Sequence, residues 1–300
     1  MERYRFPFRA MGSPCQIQLY ANDPLQAADA RRAVIEEVER IEARYSRYRP
    51  ESLLSQLNRK AHRAEGFVVD SEFAEILQYA KTCFIQSEGL FDITSGVLRK
   101  AWTFDQGHGL PNQNLIEQLL PSIGFEKVHM EGHQVFFSEQ GMEIDLGGIA
   151  KEYAADCAAS VLMNLGVHNG VINFGGDIRI LGPHPDGRPW GIGIHHPRLS
   201  DTLIATLELV EGAVATSGDY ERAIVVNGKR YSHLLDPRTG WPVEGLQSVS
   251  VIAPVAVIAG SASTIGMLKG GAGKAWLNEL GLPCLWVSEN GHVEQSDFTQ

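Results

Sequence analysis

The segment 143–156 contains residue types that bind phosphate in many proteins. A strand pattern ends at Asp145, the glycines Gly147 and Gly148 follow, and a helix pattern begins directly after them with Lys151 in its first turn. At a helix start the backbone N–H groups and the helix dipole favour an anion, and a lysine adds positive charge. The segment matches neither a GxGxxG nor a Walker motif. It predicts either an anion site or only a tight turn between a strand and a helix.

A second glycine pair, Gly175-Gly176, lies inside a strand pattern between Asn173 and Asp177. Glycine within a strand often marks a bulge or the close approach of a ligand. Two interpretations therefore stay open. The segment contributes to a binding site, or it is a bulge in which Asp177 is solvated or paired with Arg179.

Two further segments carry polar side chains that could do chemistry. Residues 213–222 place small hydroxyl side chains on what is predicted to be a loop between strands, but Ser217 lacks the GxSxG elbow of a serine hydrolase. Residues 230–242 end a strand in a Pro/Gly turn and bring His233 close to Asp236. Histidine exchanges protons near neutral pH, so His233 is either a general base or a structural histidine.

The elements that must position these segments are helices in the first half and strands in the second. A helix is predicted after the Asp23-Pro24 cap, a second from Asp70 or Ser71 to near Gly89, and a third over 150–165. Strands are predicted over 15–20, 170–181, 190–194, 202–210, 223–235 and 248–253, with hairpin turns at Asn227-Gly228 and Asn290-Gly291. This partial segregation predicts the α+β class, with largely antiparallel or mixed sheets and flanking helices.

The composition is that of a globular protein with one large domain or two smaller ones. The 300 residues are 44% hydrophobic and 21% charged, which is enough to bury a large core. The formal net charge is −10, from 26 basic and 36 acidic residues. Because this charge repels phosphate backbones and anionic lipid surfaces, we expect no nucleic-acid partner.

The cysteines and the hydropathy pattern indicate in which cellular compartment the protein is expected. Cys15, Cys83, Cys157 and Cys284 lack the close spacing of a zinc or redox motif, which predicts buried thiols in a reducing compartment and no zinc site. The N-terminal residues have no apolar core of a signal peptide, and no run of about 18 apolar residues occurs. We therefore expect a cytoplasmic protein without membrane insertion.

The four polar segments, in this order, occur together with the segments 9–12, 48–58 and 89–94. This set resembles the FAD:protein FMN transferase (ApbE) family, over a range from about Met11 to Gly270. The resemblance implies one flavin-binding domain over 1–300, built as one unit or as two intertwined subdomains. It also implies that FAD lies in a groove and that its pyrophosphate is split with the help of Mg²⁺. FMN then passes to a Thr or Ser hydroxyl of an acceptor protein, and AMP leaves.

The resemblance also assigns roles to individual residues. His233 corresponds to the general base that acts on the acceptor hydroxyl, while Gly148, through its carbonyl, and Thr264 correspond to ligands of Mg²⁺. The residues that would contact FAD are Met11, Tyr48, Leu90, Phe91, Asp92, Asp145, Lys151 and Leu234, with Thr216, Ser217, Gly218 and Asp219 at the flavin end.

The sequence departs from the family pattern at the metal. Gly260 stands where the family has an aspartate ligand, and Glu152 stands where it usually has glycine. Magnesium prefers carboxylate oxygen, so two functions stay open. The protein is an active flavin transferase, or an FAD pyrophosphatase, that holds the ion by other groups. Alternatively, it is a flavin-binding module that has lost turnover.

Overall fold

The computed structural model describes residues 1–104, 109–199 and 201–296. Within these ranges the strands are β1 (Glu2–Ala10), β2 (Ser13–Ala21), β3 (Phe67–Val68), β4 (Val128–Glu131), β5 (Gln134–Phe137), β6 (Gly170–Phe174), β7 (Asp177–Gly182), β8 (Trp190–His195), β9 (Leu203–Leu209), β10 (Gly212–Gly218), β11 (Ala223–Val226), β12 (Lys229–Ser232), β13 (Leu246–Ala253), β14 (Cys284–Ser288) and β15 (Val293–Gln295). The α-helices are α1 (Pro24–Tyr45), α2 (Leu53–Lys60), α3 (Ser71–Gln86), α4 (Gln113–Leu119), α5 (Ala150–Asn164), α6 (Ala256–Leu268) and α7 (Gly273–Glu279). A 3-10 helix spans Ile93–Lys100.

An eight-stranded sheet organises the chain, in the order β1-β2-β6-β7-β10-β13-β14-β15. Every neighbouring pair in it is antiparallel. Because successive side chains of a strand point to opposite faces, Ile172 joins the main core whereas Val171 joins a smaller cluster beneath the β8–β9 hairpin. Helices α5 and α6 pack on the sheet, and α1 packs on α5. The predicted α+β class with antiparallel sheets and flanking helices is confirmed.

The predicted helices form where their caps and apolar spacing place them. The Asp23 side chain accepts a hydrogen bond from the Gln26 N–H at the start of α1, and Asp70 accepts one from the Phe73 N–H at the start of α3. The buried residues of α1 recur every three or four positions, as an amphipathic helix requires. Burial of each large apolar side chain contributes roughly 1.5–3 kcal/mol, so these stripes fix the helices on the core.

Two local predictions are wrong. The pattern over 170–181 is not one strand but the hairpin β6–β7, and Gly175 and Gly176 form its turn with φ of 64° and 104°. Glycine occupies this turn because its backbone adopts positive φ without a steric cost. Residues 213–218 are not a loop but part of β10, an inner strand of the main sheet. The Asn227-Gly228 turn does join β11 to β12 as predicted.

The start of α6 is tied to α5. The two carboxylate oxygens of Asp156 accept hydrogen bonds of 2.9 Å each from the N–H groups of Ala256 and Val257. These donors have no partner within their own helix, so Asp156 acts as a cap supplied by the neighbouring helix. The contact fixes how the two helices are aligned along each other. Among the described helices, none combines the length and apolar character that crossing a membrane requires.

Candidate active site

A cleft opens between the first turn of α5, the end of β10 and the segment that precedes the 3-10 helix. It consists of two adjoining cavities of about 1370 and 840 Å³, which together can hold a ligand larger than the usual small molecule. Both cavities are lined by Arg47, Tyr48, Arg99, Asp145, Gly147, Lys151, Thr216, Glu221, Arg222 and His233.

The cleft collects almost every residue that the sequence singled out. Those that line it are Met11, Tyr48, Leu90, Phe91, Asp92, Asp145, Gly148, Lys151, Thr216, Ser217, Gly218, His233, Leu234 and Thr264. Asp219 does not line either cavity. Instead it accepts two hydrogen bonds from the Arg198 guanidinium, at 2.7 and 2.6 Å.

An arginine network surrounds Asp145. Its carboxylate accepts hydrogen bonds from Arg47 at 2.8 Å and from the Gly147 N–H at 2.9 Å, and Arg99 lies 3.5 Å away. Arg99 also donates to the Tyr48 hydroxyl at 2.5 Å. Neither arginine was predicted from the sequence as a site residue, although Arg47 directly precedes Tyr48. They bring positive charge to a cleft in a protein whose net charge is negative.

Lys151 pairs with Asp177 across the helix start. Its Nζ lies 2.5 Å from Asp177 Oδ2. Burial opposes the lysine charge, but Asp177 and Glu152 outweigh it and raise the pKa of Lys151. Asp177 is 3% exposed and is neither solvated nor paired with Arg179, which instead forms an ion pair with Asp156 at 3.1 Å. The lysine is therefore held as a cation at the cleft wall.

Asp92 is held inside the smaller cavity by backbone and side-chain donors. Oδ1 accepts hydrogen bonds from the Thr94 N–H at 2.8 Å and from its hydroxyl at 2.6 Å, and Oδ2 accepts one from the Phe125 N–H at 3.0 Å. Burial raises the pKa of Asp92, although these donors oppose the rise. The carboxylate thus caps the 3-10 helix that follows it.

His233 faces both cavities as a neutral base. Its Nδ1 lies 3.2 Å from the Arg222 carbonyl oxygen, so this nitrogen carries the hydrogen and donates. Desolvation, with the charges of Arg222, Arg99 and Lys151, lowers the pKa of His233 to about 4. The other ring nitrogen, Nε2, forms no hydrogen bond to the described part of the chain and is left with a lone pair that can accept a proton.

The hydroxyl groups at the end of β10 bond to one another. Ser217 Oγ lies 2.9 Å from Ser263 Oγ and 3.0 Å from Thr264 Oγ1. Thr216 Oγ1 lies 2.7 Å from Ser250 Oγ. Among the described residues Ser217 has no histidine partner, so the nucleophile arrangement of a serine hydrolase is missing.

Glu152 is the unexpected member of the cleft. It is 7% exposed, and its Oε2 has no hydrogen-bond partner in the described ranges. Burial and the nearby charge of Asp177 raise the pKa of Glu152. Its side chain occupies the space beside Gly260, where a Cβ would lie 2.5 Å from Glu152 Cγ. No group of three or more His, Cys, Asp or Glu side chains arranged for a metal ion occurs within the described residues.

Known proteins resemble this chain over most of its length. An FAD:protein FMN transferase of Klebsiella pneumoniae is 33% identical over 255 residues, which cover 83% of this chain and 77% of that protein. The corresponding protein of Chlamydia pneumoniae is 33% identical over 235 residues, which cover 76% and 72%.

Solved structures agree with the sequence relationships. The ApbE protein from Thermotoga maritima superimposes with a TM-score of 0.89 at 34% identity, covering 99% of this chain and 97% of that one. The flavin transferase ApbE from Vibrio cholerae gives a TM-score of 0.89 at 27% identity, with the same coverage. The ApbE family model matches residues 11–286. The resemblance found in the sequence is thus confirmed, and the chain belongs to the ApbE family.

Proposed function

We propose that this protein transfers FMN from FAD to a hydroxyl group of an acceptor protein. The observation that carries the proposal is the convergence of residues from widely separated segments on one cleft, with only Asp219 of the predicted set outside it. The relatives named FAD:protein FMN transferase support the same activity. A single flavin-binding domain is part of the proposal and is supported by the family match over 11–286.

The cleft offers separate surroundings for the parts of FAD. Lys151, Arg99 and Arg222 bring positive charge to its wall, where it would neutralise the two phosphates. Leu90 and Phe91 offer apolar surface in the smaller cavity, which suits the packing of a flat ring. Met11 lies at the β1–β2 turn on the larger cavity, and its polarisable thioether suits the same purpose.

His233 would act on the acceptor. Its Nε2 takes the proton of a Ser or Thr hydroxyl while the hydroxyl oxygen bonds to the phosphorus on the FMN side of the pyrophosphate. The bond from that phosphorus to the bridging oxygen breaks, and AMP leaves with the bridging oxygen. The hydrogen bond from Nδ1 to the Arg222 carbonyl holds the ring in the tautomer that leaves Nε2 free.

Mg²⁺ is part of the proposal because the residues present fit a hard cation. Glu152 has a buried carboxylate oxygen without a partner among the described residues, and Glu152, Thr264 and Gly148 all line the smaller cavity. Oxygen donors of these kinds are the ligands that Mg²⁺ prefers. When bound, the ion would stabilise the negative charge that develops on the phosphates.

A cytoplasmic location is also proposed. It is supported by the four cysteines, all of which are free thiols, three of them buried. Free thiols persist in a reducing compartment, whereas disulfides are common in oxidising ones.

Product analysis tests the proposed transfer. The full chain is incubated with FAD, Mg²⁺ and a Ser/Thr-containing acceptor, and AMP release and covalent flavin fluorescence of the acceptor are measured. We expect both products, and a loss of at least about 100-fold for His233→Asn, the contribution typical of a general base. His129→Asn, an exposed histidine of β4 outside the cleft, is the matched control. Release of AMP with free FMN would instead identify a pyrophosphatase, and bound FAD with background AMP would identify a binding module.

A further inference from the structure

We propose that Glu152 supplies the carboxylate of a divalent-cation site in the smaller cavity, in the space that the absent side chain of Gly260 leaves open. The inference rests on the proposed function, since a cation in this cavity would serve the FAD phosphates. It assigns the anionic ligand to α5 rather than to α6.

The first observation is that Glu152 is buried and that one of its carboxylate oxygens has no partner among the described residues. The residue is only 7% exposed, and Oε2 lacks a hydrogen bond within the described part of the chain. A buried carboxylate oxygen without a donor is strongly unfavourable. Neighbouring Asp177 does have a cationic partner, because Lys151 lies 2.5 Å from it. Of the two neighbouring carboxylates, Glu152 is thus the one that still lacks a cationic partner among the described residues and that a bound cation would neutralise.

The second observation is the space in which Glu152 lies. A Cβ at position 260 would lie 2.5 Å from Glu152 Cγ and 2.9 Å from Oε1, closer than nonbonded atoms approach. Glycine is therefore required for Glu152 to take this position. Conversely, a carboxylate on residue 260 would occupy the same space from the side of α6.

The third observation is that rigid elements hold Glu152 in place. One turn further along α5, Asp156 caps the start of α6 through Ala256 and Val257. Since residues four apart lie on one face of a helix, Glu152 then meets Gly260 one turn into α6. A ligand held by two packed helices keeps its position better than one on a mobile loop.

The remaining lining of the smaller cavity suits a hard cation. Gly148, Asp177, Ser217 and Thr264 line it with Glu152 and carry oxygen atoms. Such ions take oxygen ligands in preference to nitrogen or sulfur. These groups come from α5 and α6 and from β7, β10 and the turn before α5, so only the folded chain brings them together.

Mn²⁺ binding tests the proposal independently of catalysis. Mn²⁺ replaces Mg²⁺ at oxygen sites, and its free and bound forms differ in electron paramagnetic resonance. The full chain is titrated with Mn²⁺ in the presence of saturating FAD at mildly alkaline pH. We expect Glu152→Gln to weaken Mn²⁺ binding by at least about tenfold, because even loss of a group that only orients a metal ligand lowers metal affinity by about 10–100-fold. Glu75→Gln is the matched control, because Glu75 is an exposed glutamate of α3 that lines neither cavity, and Mn²⁺ binding by this variant should stay within about twofold of wild type.

A second pair of variants keeps the test valid if Glu152→Gln folds poorly. Gly260→Asp alone should lower Tm by several degrees, because its Cβ meets Glu152. The double variant Glu152→Gly with Gly260→Asp should fold and restore Mn²⁺ binding to within about tenfold of wild type, since it moves the carboxylate to the other helix.

Three results would overturn the assignment: no Mn²⁺ binding by the wild-type chain with FAD present, wild-type affinity in Glu152→Gln, or equal loss of affinity in Glu152→Gln and Glu75→Gln. None of these outcomes depends on AMP release. A wild-type chain that binds Mn²⁺ through Glu152 but releases no AMP would contradict the proposed transferase and leave this assignment standing.

Discussion

Asp92 and Glu152 line the same cavity and are equally buried, at 7% exposure each, yet their surroundings are opposite. Asp92 accepts three hydrogen bonds through its two oxygens. Glu152 Oε2 accepts none from the described residues. Burial by itself therefore does not separate an acid that holds the fold together from one that is available to a ligand, whereas the number of donors around it does.

The difference has a structural cause. Asp92 stands before a 3-10 helix, and the first N–H groups of a helix have no partner within it. Glu152 points instead at Gly260, one turn into α6, where the backbone N–H groups are already bonded within the helix. A carboxylate directed at a helix start finds donors, and one directed at a helix interior finds none.

The largest expected effect on stability comes from removing Asp92, the carboxylate whose two oxygens both accept hydrogen bonds. Asp92→Ala leaves three buried donors without an acceptor, and we expect the free energy of unfolding to fall by about 3 kcal/mol. Urea denaturation measures the change. Asp186→Ala is the control, because Asp186 is 53% exposed and pairs with Arg188 at the surface, so its loss should change the free energy of unfolding far less than Asp92→Ala does. An equal fall in the free energy of unfolding for the two variants would contradict the structural role of Asp92.

A substitution at Gly260, the neighbour of Glu152, is expected to have an effect of intermediate size on stability. Gly260→Ala should destabilise the wild-type chain by about 1–3 kcal/mol, because the new methyl group overpacks against Glu152. In a Glu152→Gly background the same substitution should stabilise the chain by up to about 1 kcal/mol, since alanine favours a helix interior over glycine. Chemical denaturation of the four proteins of this double-mutant cycle gives the coupling free energy between residues 152 and 260. Additive effects would mean that the two residues do not meet.

The smallest expected effect extends the comparison to a base. Burial holds the pKa of His233 at about 4, below its usual 6.5. As the pH falls below 6.5, the unfolded chain takes up a proton that the folded chain refuses, so folding stability declines until about pH 4. We expect His233→Asn to lose less stability than wild type between neutral pH and pH 4, as measured by urea midpoints. The stability of His129→Asn should vary with pH as that of wild type does. If the stability of His233→Asn also varies in the same way, the lowered pKa of His233 is contradicted.

Local sequence signals predicted much of the fold. Helices α1, α3 and α5 follow from apolar spacing, and the first two also from their Asp caps. The β11–β12 hairpin follows from Asn227-Gly228. In each case the interactions that define the element lie within a few residues of one another, so they can be recognised from the sequence alone.

The errors arose where partners distant in sequence decide the structure. Residues 213–218 contain small and hydroxyl side chains typical of loops, but pairing with β7 and β13 makes them an inner strand. Asp219 follows directly on that strand, and its carboxylate accepts two hydrogen bonds from Arg198, while its contact with FAD stays a prediction. No signal within the segment itself carries this information.

The sequence alone determined the family, the class of fold and a set of residues nearly all of which line the cleft, because ordered motifs and helix caps are local features. Only the tertiary structure decided how the charged groups are paired. Lys151 meets Asp177 rather than standing free, and Glu152 fills the space beside Gly260. Each contact joins two elements whose alignment depends on the packing of the whole core. For this reason the sequence showed Gly260 only as a missing ligand, whereas the structure shows that the absence of its side chain leaves room for the Glu152 carboxylate.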